Sequence, residues 1–290
     1  MATDGTLALH LGALGDFVLS WPALGRLAGL GSLHLWGRGE WGRLILPPEQ
    51  VHEREAARFA SLFSPAMEHA LLKWLRGFER AVVFAAAPDP VLLRNLASAV
   101  PQVSAVTTRP PRGTYQQVGR WQVEQLARLG LAGSPRPLGP LLPPPGSPAG
   151  VILAPGSGGR AKRLDPELTA LLARRLLEKH PTFTLLLGPA EESDYRQALA
   201  LSLAEVPHQI LADPAMEDLA QALRGASLYV GADSGVSHLA AALGAPTLAV
   251  FVASDPRLWS PLGPRARVLG ALEARHADLS APEFEAVLDL

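Results

Sequence analysis

Asp233, Ser234 and Gly235 are the first residues whose types and spacing suggest chemistry. They follow an apolar run that predicts a buried strand, and they precede a helical stretch that contains His238. A helix that begins at Gly235 offers unpaired N–H groups and the positive end of its dipole to an anion, and Asp233 can accept hydrogen bonds from hydroxyl groups. The segment therefore predicts a site for a phosphorylated polyol. The alternative is that Asp233 and Ser234 only cap the helix and that His238 packs inside the protein; we assign His238 to ligand contact or loop support rather than to proton transfer.

A second loop of the same kind contains Ser157, Gly158 and Lys162, and it follows another short apolar run. Its glycines let the backbone approach a ligand, and Ser157 and Lys162 together suit a diphosphate, with the lysine as a point charge on a leaving group. A solvated loop is the alternative, although the position after a strand favours a site. Glu191 and Glu192 follow the next strand. They could contact a ribose, but helix N-termini attract acids in any case, and we expect the latter for at least one of them.

The third candidate is Asp16, at the end of the turn Gly12-Ala13-Leu14-Gly15-Asp16. The spacing is not that of a dinucleotide fingerprint, and a carboxylate at this point would repel a pyrophosphate. We interpret the turn as presenting Asp16 itself, and a helix cap is an equally good explanation. Farther along, Arg109 and Arg112 lie in a proline-containing loop that would suit an anionic acceptor or would simply be a solvated turn.

The elements that must position these residues alternate between strands and helices, which predicts mostly parallel sheets covered on both faces. A segment dense in proline and glycine, about 132–148, predicts a connector with a boundary near residue 147. Residues 1–147 hold 14 Lys and Arg against 10 Asp and Glu, about +4, whereas 148–290 hold 12 against 17, about −5. The chain is thus predicted to form two Rossmann-like, doubly wound domains, 1–147 and 148–290, that face each other across a cleft. Predicted strands are 7–11, 32–36, 50–55, 81–86, 103–107, 151–153, 182–187, 209–211, 227–230 and 246–252; predicted helices are 17–27, 41–46, 56–63, 67–78, 91–100, 115–129, 166–179, a helix that follows the loop 188–192 and ends at about 203, 216–224, 235–244 and 282–290.

Composition excludes several classes of function. The chain of 290 residues has no cysteine, so thiolate catalysis, disulfides and cysteine-ligated metals are excluded. No metal-binding spacing of histidines or acids occurs, and a net charge of −1 gives no case for nucleic-acid binding. Neither a signal peptide nor an apolar run of about 20 residues is present. We therefore expect a soluble, cytoplasmic protein without a bound metal or cofactor.

At these motifs the sequence resembles glycosyltransferase family 9, the ADP-heptose:lipopolysaccharide heptosyltransferase family. The resemblance rests on motifs in the same order along most of the chain. The most specific is the third of the following: Leu14-Gly15-Asp16 with Pro22-Ala23-Leu24, Pro155-Gly156-Ser157 with Ala161-Lys162, Asp233-Ser234-Gly235 with His238 to Pro246, and Phe251 to Pro256 with Pro261-Leu262-Gly263.

The resemblance implies a GT-B fold, inverting transfer without an obligatory metal, and a nucleotide-sugar donor on the C-terminal domain. Asp16 then looks like the catalytic base, with Gly15, Arg109 and Arg112 on the acceptor side. Lys162 is the second catalytic candidate, because it would stabilise the leaving diphosphate. The donor-binding set comprises Ser157, Gly158, Lys162, Glu191, Asp233, Ser234, Gly235 and His238.

The implied acceptor is a cell-envelope glycan or glycolipid, reached by a monomer with peripheral contact to the inner membrane face. The sequence departs from the family where Leu164 and Asp165 replace an aromatic residue that commonly follows the lysine, which leaves the donor base and sugar open. A non-catalytic sugar-nucleotide-binding protein on the same scaffold is the alternative, and a sugar-nucleotide epimerase of similar fold is a more distant one.

Overall fold

The computed structural model describes residues 3–143 and 150–270, and the chain divides into two compact units, 1–141 and 142–290. The predicted boundary at residue 147 and the predicted last helix, 282–290, lie outside the described residues.

Unit 1 is built on a five-stranded parallel sheet with strand order β3-β2-β1-β4-β5. The central strands are buried on both faces, which is why residues such as Leu7, Ala8 and Leu9 read as a continuous apolar run rather than an alternating one. The strands are β1 (Thr3–His10), β2 (Leu33–Gly37), β3 (Val51–Glu53), β4 (Phe78–Ala85) and β5 (Gln102–Thr107). The helices are α1 (Leu14–Leu19), α2 (Trp21–Ala28), α3 (Gly39–Gly42), α4 (His69–Leu75), α5 (Pro90–Ala97) and α6 (Val118–Arg128), with 3₁₀ turns at Pro48–Gln50 and Ala57–Phe63.

Unit 2 repeats this plan with six parallel strands in the order β11-β10-β9-β6-β7-β8. Numbered from its own first strand, the order is that of a doubly wound Rossmann sheet, and unit 1 has the same order without the last strand. The strands are β6 (Gly150–Ala154), β7 (Phe183–Leu187), β8 (His208–Ala212), β9 (Ala226–Ala232), β10 (Thr247–Val250) and β11 (Ala266–Leu269). The helices are α7 (Pro166–Leu177), α8 (Ser193–Ser202), α9 (Met216–Gly225), α10 (Gly235–Ala242) and α11 (Pro256–Trp259), with a 3₁₀ turn at Arg160–Lys162.

Several predicted helices were wrong in extent or type. The pattern over 17–27 is split into α1 and α2 at Ser20, since Pro22 has no N–H to continue the first helix. The predicted helix 41–46 is helical only as far as Gly42, and the one over 56–63 is a 3₁₀ helix. The predicted helix 67–78 ends at Leu75, because Phe78 pairs with the central strand β1.

Two elements near the end of unit 2 were not predicted from the sequence, α11 and β11. Strand β11 pairs in parallel with β10 although Arg267 interrupts its apolar run. An edge strand with one exposed face needs no continuous apolar run, so its local pattern is weak.

Candidate functional site

In unit 2 the strand order changes direction between β6 and β9, and the loops after these two neighbouring strands carry the predicted donor-side residues. Ligands of doubly wound sheets bind outside the carboxyl ends of the strands at such a switch point. The Ser157 hydroxyl, which follows β6, donates to the backbone oxygen of Asp233, which follows β9, over 2.9 Å. The two predicted loops are therefore in direct contact.

The Asp233 side chain is only 2% exposed, and three side chains converge on its carboxylate. Lys162 Nζ lies 2.9 Å from Oδ2, the Ser254 hydroxyl donates to the same oxygen, and His238 Nε2 lies 3.6 Å from Oδ1. Burial by itself raises the pKa of this carboxyl, but the contacts from His238, Lys162 and Ser254 outweigh it and hold the pKa below its usual value. Asp233 is therefore ionised in a nearly dry environment.

Helix α10 begins directly behind Asp233, with Ser234 as its N-cap. The Ser234 hydroxyl accepts from the Ser237 N–H over 3.4 Å, and Gly235 is the first helical residue. The predicted cap is thus formed by Ser234. It leaves the first N–H groups of the helix at the strand end, so anion binding stays a prediction that the cap does not exclude. The Ser237 hydroxyl connects the helix to strand β9. Its Oγ lies 3.0 Å from Tyr229 Oη and donates to Ala232 O over 2.5 Å.

His238 is 4% exposed, so it is a buried member of the cluster. Its Nδ1 atom has no hydrogen-bond partner among the residues that the structure describes. The prediction of loop support fits this position beside Asp233, and a contact with a ligand stays a prediction.

Lys162 is 38% exposed along its side chain, which leaves its ammonium group partly accessible while it is paired with Asp233. The 3₁₀ turn Arg160–Lys162 brings it back over the loop, where its stem lies near Gly159. Gly158 is exposed, and a Cβ built on it would meet no atom within 4 Å. The loop therefore has room for a ligand above Gly158.

Glu191 comes from the loop after β7 and is 7% exposed. Its carboxylate accepts from the Gly188 N–H and lies on Gly156, where a Cβ would come within 1.4 Å of Oε1. Burial raises the pKa of Glu191, against the opposing effects of the Gly188 N–H and the nearby charges of Arg163 and Arg196. Glu192 is different, since it is exposed and pairs with Arg160. Of the two acids, Glu191 is the one buried against Gly156 of the loop after β6, and its contact with a ribose stays a prediction.

Sequence reasoning missed Ser254, Arg163 and Tyr195 as parts of this site. Ser254 lies after β10 and reaches Asp233, while Arg163 and Tyr195 bind backbone oxygens of the loop after β6. Ser254 lies inside the segment Phe251 to Pro256 that resembles the family, but neither it nor Arg163 nor Tyr195 was assigned a role from the sequence. A search for polar residues just after each predicted strand would have found Ser254, because such residues share one edge of a parallel sheet.

In unit 1, Asp16 is the third residue of α1, and its Oδ2 accepts from the Ala13 N–H over 3.1 Å. The predicted helix cap is thus formed. The carboxylate is half-buried at the end of the central strand β1, next to Gly12, where a Cβ would come within 2.9 Å of Oδ2. Gly15 is the preceding helical residue, and it is half-buried too. The cap uses one carboxylate oxygen, so a role as a base stays a prediction that the cap does not exclude.

A buried histidine supports this turn from inside unit 1. His10 Nε2 lies 3.2 Å from the Ser20 hydroxyl, which donates to Asp16 O over 2.8 Å. The ring packs edge-on against Phe17, with 5.2 Å between ring centroids. Burial lowers the pKa of His10 to about 3, so the ring is neutral at pH 7.

Arg109 and Arg112 lie after β5, at the same edge of the sheet as the end of β1, and both are exposed. No ion pair involves either of them within the described part of the chain. Groups of three or more potential ligands for a metal ion are not found among the described residues, and no described helix is long and apolar enough to cross a membrane.

Two parallel sheets of Rossmann order, with polar clusters at their carboxyl ends, define a GT-B type α/β fold, the class of many nucleotide-sugar-dependent transferases. The comparison with solved structures confirms this fold class. Similar structures are a glycosyl transferase family 9 protein from Veillonella parvula DSM 2008 (TM-score 0.71, 16% identity, 97% of this chain and 90% of that chain) and two proteins of E. coli. The first is heptosyltransferase WaaC with ADP (TM-score 0.67, 18% identity, 98% of each chain covered). The second is ADP-heptose lps heptosyltransferase II (TM-score 0.69, 17% identity, 98% of each chain covered).

The family model for glycosyltransferase family 9 (heptosyltransferase) matches residues 145–286, which contain the whole Ser157, Lys162 and Asp233 cluster. Most of unit 2 therefore matches the model of this family, which confirms the resemblance predicted from the sequence. A search of curated protein sequences gave no match. Family and fold together support sugar transfer as the activity.

Proposed function

We propose that this protein is an inverting glycosyltransferase that moves a sugar, heptose or a related one, from an ADP-linked donor to a cell-envelope glycan or glycolipid. One observation carries the proposal. The cluster of Ser157, Lys162 and Asp233 lies at the switch point of the unit 2 sheet, inside the region that matches family 9. A hydroxyl, an ammonium group and a helix N-terminus at this edge suit a diphosphate, and an ionised buried carboxylate suits sugar hydroxyls.

The proposed chemistry is a single displacement at the anomeric carbon. The acceptor hydroxyl attacks, gives its proton to Asp16, and forms the new glycosidic bond as the bond to the diphosphate breaks. Lys162, the Ser157 hydroxyl and the N–H groups at Gly235 stabilise the negative charge on the departing diphosphate. Lys162 is already held over this loop by Asp233. When the donor binds, its ammonium group would move from the Asp233 carboxylate to the diphosphate.

The donor assignment combines the site with the neighbours. The E. coli structures are named for ADP and for ADP-heptose, and we transfer the nucleotide to this chain as a proposal. Asp233 and His238 would contact the sugar, Ser157, Gly158, Ser234 and Gly235 the phosphates, and Glu191 the ribose hydroxyls. The raised pKa of Glu191 reflects a dry position in which hydrogen bonds from hydroxyl groups would be strong.

On the acceptor side we propose Gly15, Arg109 and Arg112. The two arginines lie exposed after β5, in the half of the chain with a charge of about +4. Arginine is well suited to phosphate and carboxylate groups, as in an anionic envelope lipid. The same charge would favour contact with the inner membrane face by a cytoplasmic monomer that needs neither metal nor cofactor.

The direct test is donor turnover. The purified protein is incubated with ADP-heptose, other nucleotide sugars and an envelope acceptor fraction, with and without EDTA, and release of nucleoside diphosphate and the anomeric configuration of the product are measured. We expect ADP release with inversion that EDTA does not change. Lys162→Ala should weaken ADP binding at least tenfold in calorimetry, whereas Lys73→Ala, which changes an exposed lysine of α4, should not.

Other outcomes point elsewhere. ADP binding without turnover on any acceptor would favour the non-catalytic sugar-nucleotide-binding protein, and donor isomerisation without acceptor would favour an epimerase. Equal effects of the Lys162 and Lys73 substitutions would contradict the diphosphate role of Lys162. Loss of turnover in EDTA would contradict metal independence.

A further inference from the structure

Arg163 connects the two loops that carry the proposed donor ligands of unit 2. Its Nε donates to Ser157 O over 3.1 Å, in the loop after β6, and its Nη2 donates to Ala190 O, in the loop after β7. Ser157 is the proposed phosphate ligand, and Ala190 directly precedes Glu191, the proposed ribose ligand. One half-buried guanidinium group thus joins the backbone of both ligand loops.

Tyr195 supports this connection from α8. The guanidinium carbon of Arg163 lies 5.4 Å from the centroid of the Tyr195 ring, which fixes the plane of the group. The Tyr195 hydroxyl lies 3.2 Å from Pro155 O and 2.5 Å from Leu164 O, so it closes the base of the loop that holds Ser157 and Lys162. The loop after β6 is therefore bound at its start, its middle and its end.

The loop after β7 is held independently of Arg163. Arg196 donates through Nε to Glu191 O over 2.9 Å and through Nη2 to Gly188 O over 2.8 Å, and it also pairs with Asp213. Each loop thus has its own internal bonds. Arg163 is different, because it bonds within its own loop, to Ser157 O, and also to Ala190 O of the loop after β7. The pair of Arg160 with Glu192 spans the same two loops as well, but both of its side chains are exposed.

We infer that Arg163 is a positioning residue that fixes the distance between the diphosphate-binding loop and the Glu191 loop, so that a nucleoside diphosphate can contact both at once. This inference rests on the proposed donor site. Two loops with fixed spacing bind the two halves of one ligand without further ordering, which is the physical basis of preorganisation. Arginine suits this role because its planar fork reaches two carbonyl oxygens, whereas the single ammonium group of lysine lacks this geometry.

The test compares a ligand that spans both loops with one that occupies a single loop. Calorimetric titrations with ADP and with inorganic pyrophosphate are made on the full-length wild type, Arg163→Ala, Arg163→Lys and the control Arg160→Ala. Arg160 lies three residues away and pairs with Glu192, which also joins the two loops, but both side chains are exposed and an exposed ion pair contributes little. We expect both Arg163 variants to bind ADP at least tenfold more weakly and pyrophosphate less than threefold more weakly. In turnover they should raise the donor KM and leave kcat nearly unchanged, and Arg160→Ala should change none of these values by more than twofold.

A purely structural role would lower the thermal midpoint without separating the two ligands. Equal losses for ADP and pyrophosphate, or restoration of ADP binding by Arg163→Lys, would overturn the inference, and so would Arg163→Ala behaving like Arg160→Ala. If Arg163→Ala does not fold, Arg163→Lys carries the test, because it keeps the positive charge and most of the stem but lacks the planar fork that reaches both carbonyl oxygens. Wild-type protein that binds no nucleoside diphosphate would overturn the proposed function as well, whereas wild-type binding with unaltered variants would overturn only this inference.

Discussion

Units 1 and 2 share one strand order but use the carboxyl ends of their sheets in different ways. In unit 2, residues from the loops after β6, β9 and β10 meet around Asp233. Two of them, Ser157 and Ser254, are 97 positions apart along the chain. In unit 1, Asp16 bonds to Ala13, three positions away, and its backbone is braced by Ser20 and His10. One sheet edge carries a site built from distant loops, and the other carries a single carboxylate on a short helix.

This difference matches the proposed function, which assigns donor binding to unit 2 and proton transfer to unit 1. A ligand with several charges and hydroxyls needs many preset partners, and only converging loops supply them. A proton acceptor needs one carboxylate in the right place. The comparison therefore predicts that substitutions in unit 2 change nucleotide binding, whereas substitutions in unit 1 change turnover, acceptor affinity or stability without changing nucleotide binding.

The largest expected effect is that of Asp16→Asn in unit 1. The amide keeps the shape and can still accept from Ala13 N–H, but it cannot take a proton, so turnover should fall about 10²- to 10⁴-fold. ADP affinity, measured by calorimetry, should stay within twofold of the wild type. A variant that retains full turnover would remove Asp16 from the reaction, and one that loses ADP binding would break the division between the units.

Gly156→Ala in unit 2 should have the next largest effect. Its Cβ would fall 1.4 Å from Glu191 Oε1, so the Glu191 carboxylate must leave its position. We expect at least tenfold weaker ADP binding and a loss of stability of about 1–3 kcal/mol.

Gly29→Ala is the matched control in unit 1, since its Cβ would fall 2.0 Å from Ser134 O. It should lower the thermal midpoint similarly and leave ADP affinity unchanged. If both variants weakened ADP binding to the same degree, the effect of Gly156→Ala would be one of general instability.

As the pH is lowered, unit 1 should begin to lose folding stability at a higher pH than unit 2. The pKa of His10 is lowered to about 3, so the unfolded chain binds a proton below pH 6.5 that the folded protein rejects, and stability falls as the pH falls from about 6.5 towards 3. One pKa unit corresponds to about 1.4 kcal/mol, so unit 1 should lose about 2 kcal/mol between pH 7 and pH 5. The pKa of Asp233 is lowered as well, but for an acid this means that its contribution is lost only below about pH 4.

Tryptophan fluorescence during urea unfolding measures this difference, since five of the six tryptophans lie in unit 1; they are Trp21, Trp36, Trp41, Trp74 and Trp121, with Trp259 in unit 2. His10→Gln should flatten the pH dependence in part. The slope that remains belongs to His34 and His52, whose pKa values burial also lowers, that of His52 to about 4. If His10→Gln left the pH dependence of the unfolding free energy unchanged, His10 would not be its source.

The smallest effect is expected for Arg109→Ala and Arg112→Ala in unit 1. Both side chains are exposed, so neither substitution should change the thermal midpoint or ADP affinity. The acceptor KM should rise a few-fold at low salt, and the rise should shrink at high salt because exposed charges are screened. If the acceptor KM at low salt did not change, Arg109 and Arg112 would not bind the acceptor and would simply lie in a solvated turn.

Much of the fold could be predicted because local patterns agree with the final structure. The apolar runs at β1, β6 and β9 are continuous since both faces of the sheet are covered, and glycine-containing loops mark their ends. Patterns failed where tertiary packing decided, as at Phe78, which joins β4 rather than extending α4, and at β11, whose arginine hides an edge strand. Spacing alone cannot tell a helix from a 3₁₀ turn, as at Ala57–Phe63.

The sequence by itself determined which loops hold the candidate site residues of this protein. Ser157, Lys162, Asp233 and Asp16 each follow an apolar run, and residue type plus position after a strand suffices to find them. Only the tertiary structure decided which of these residues meet and that Glu191 rather than Glu192 is buried. It also decided that Ser254 contacts Asp233 and that Arg163 and Tyr195 bond to the loop after β6. The reason is physical: strand order brings together residues far apart in the chain, and no local pattern in the sequence records that order.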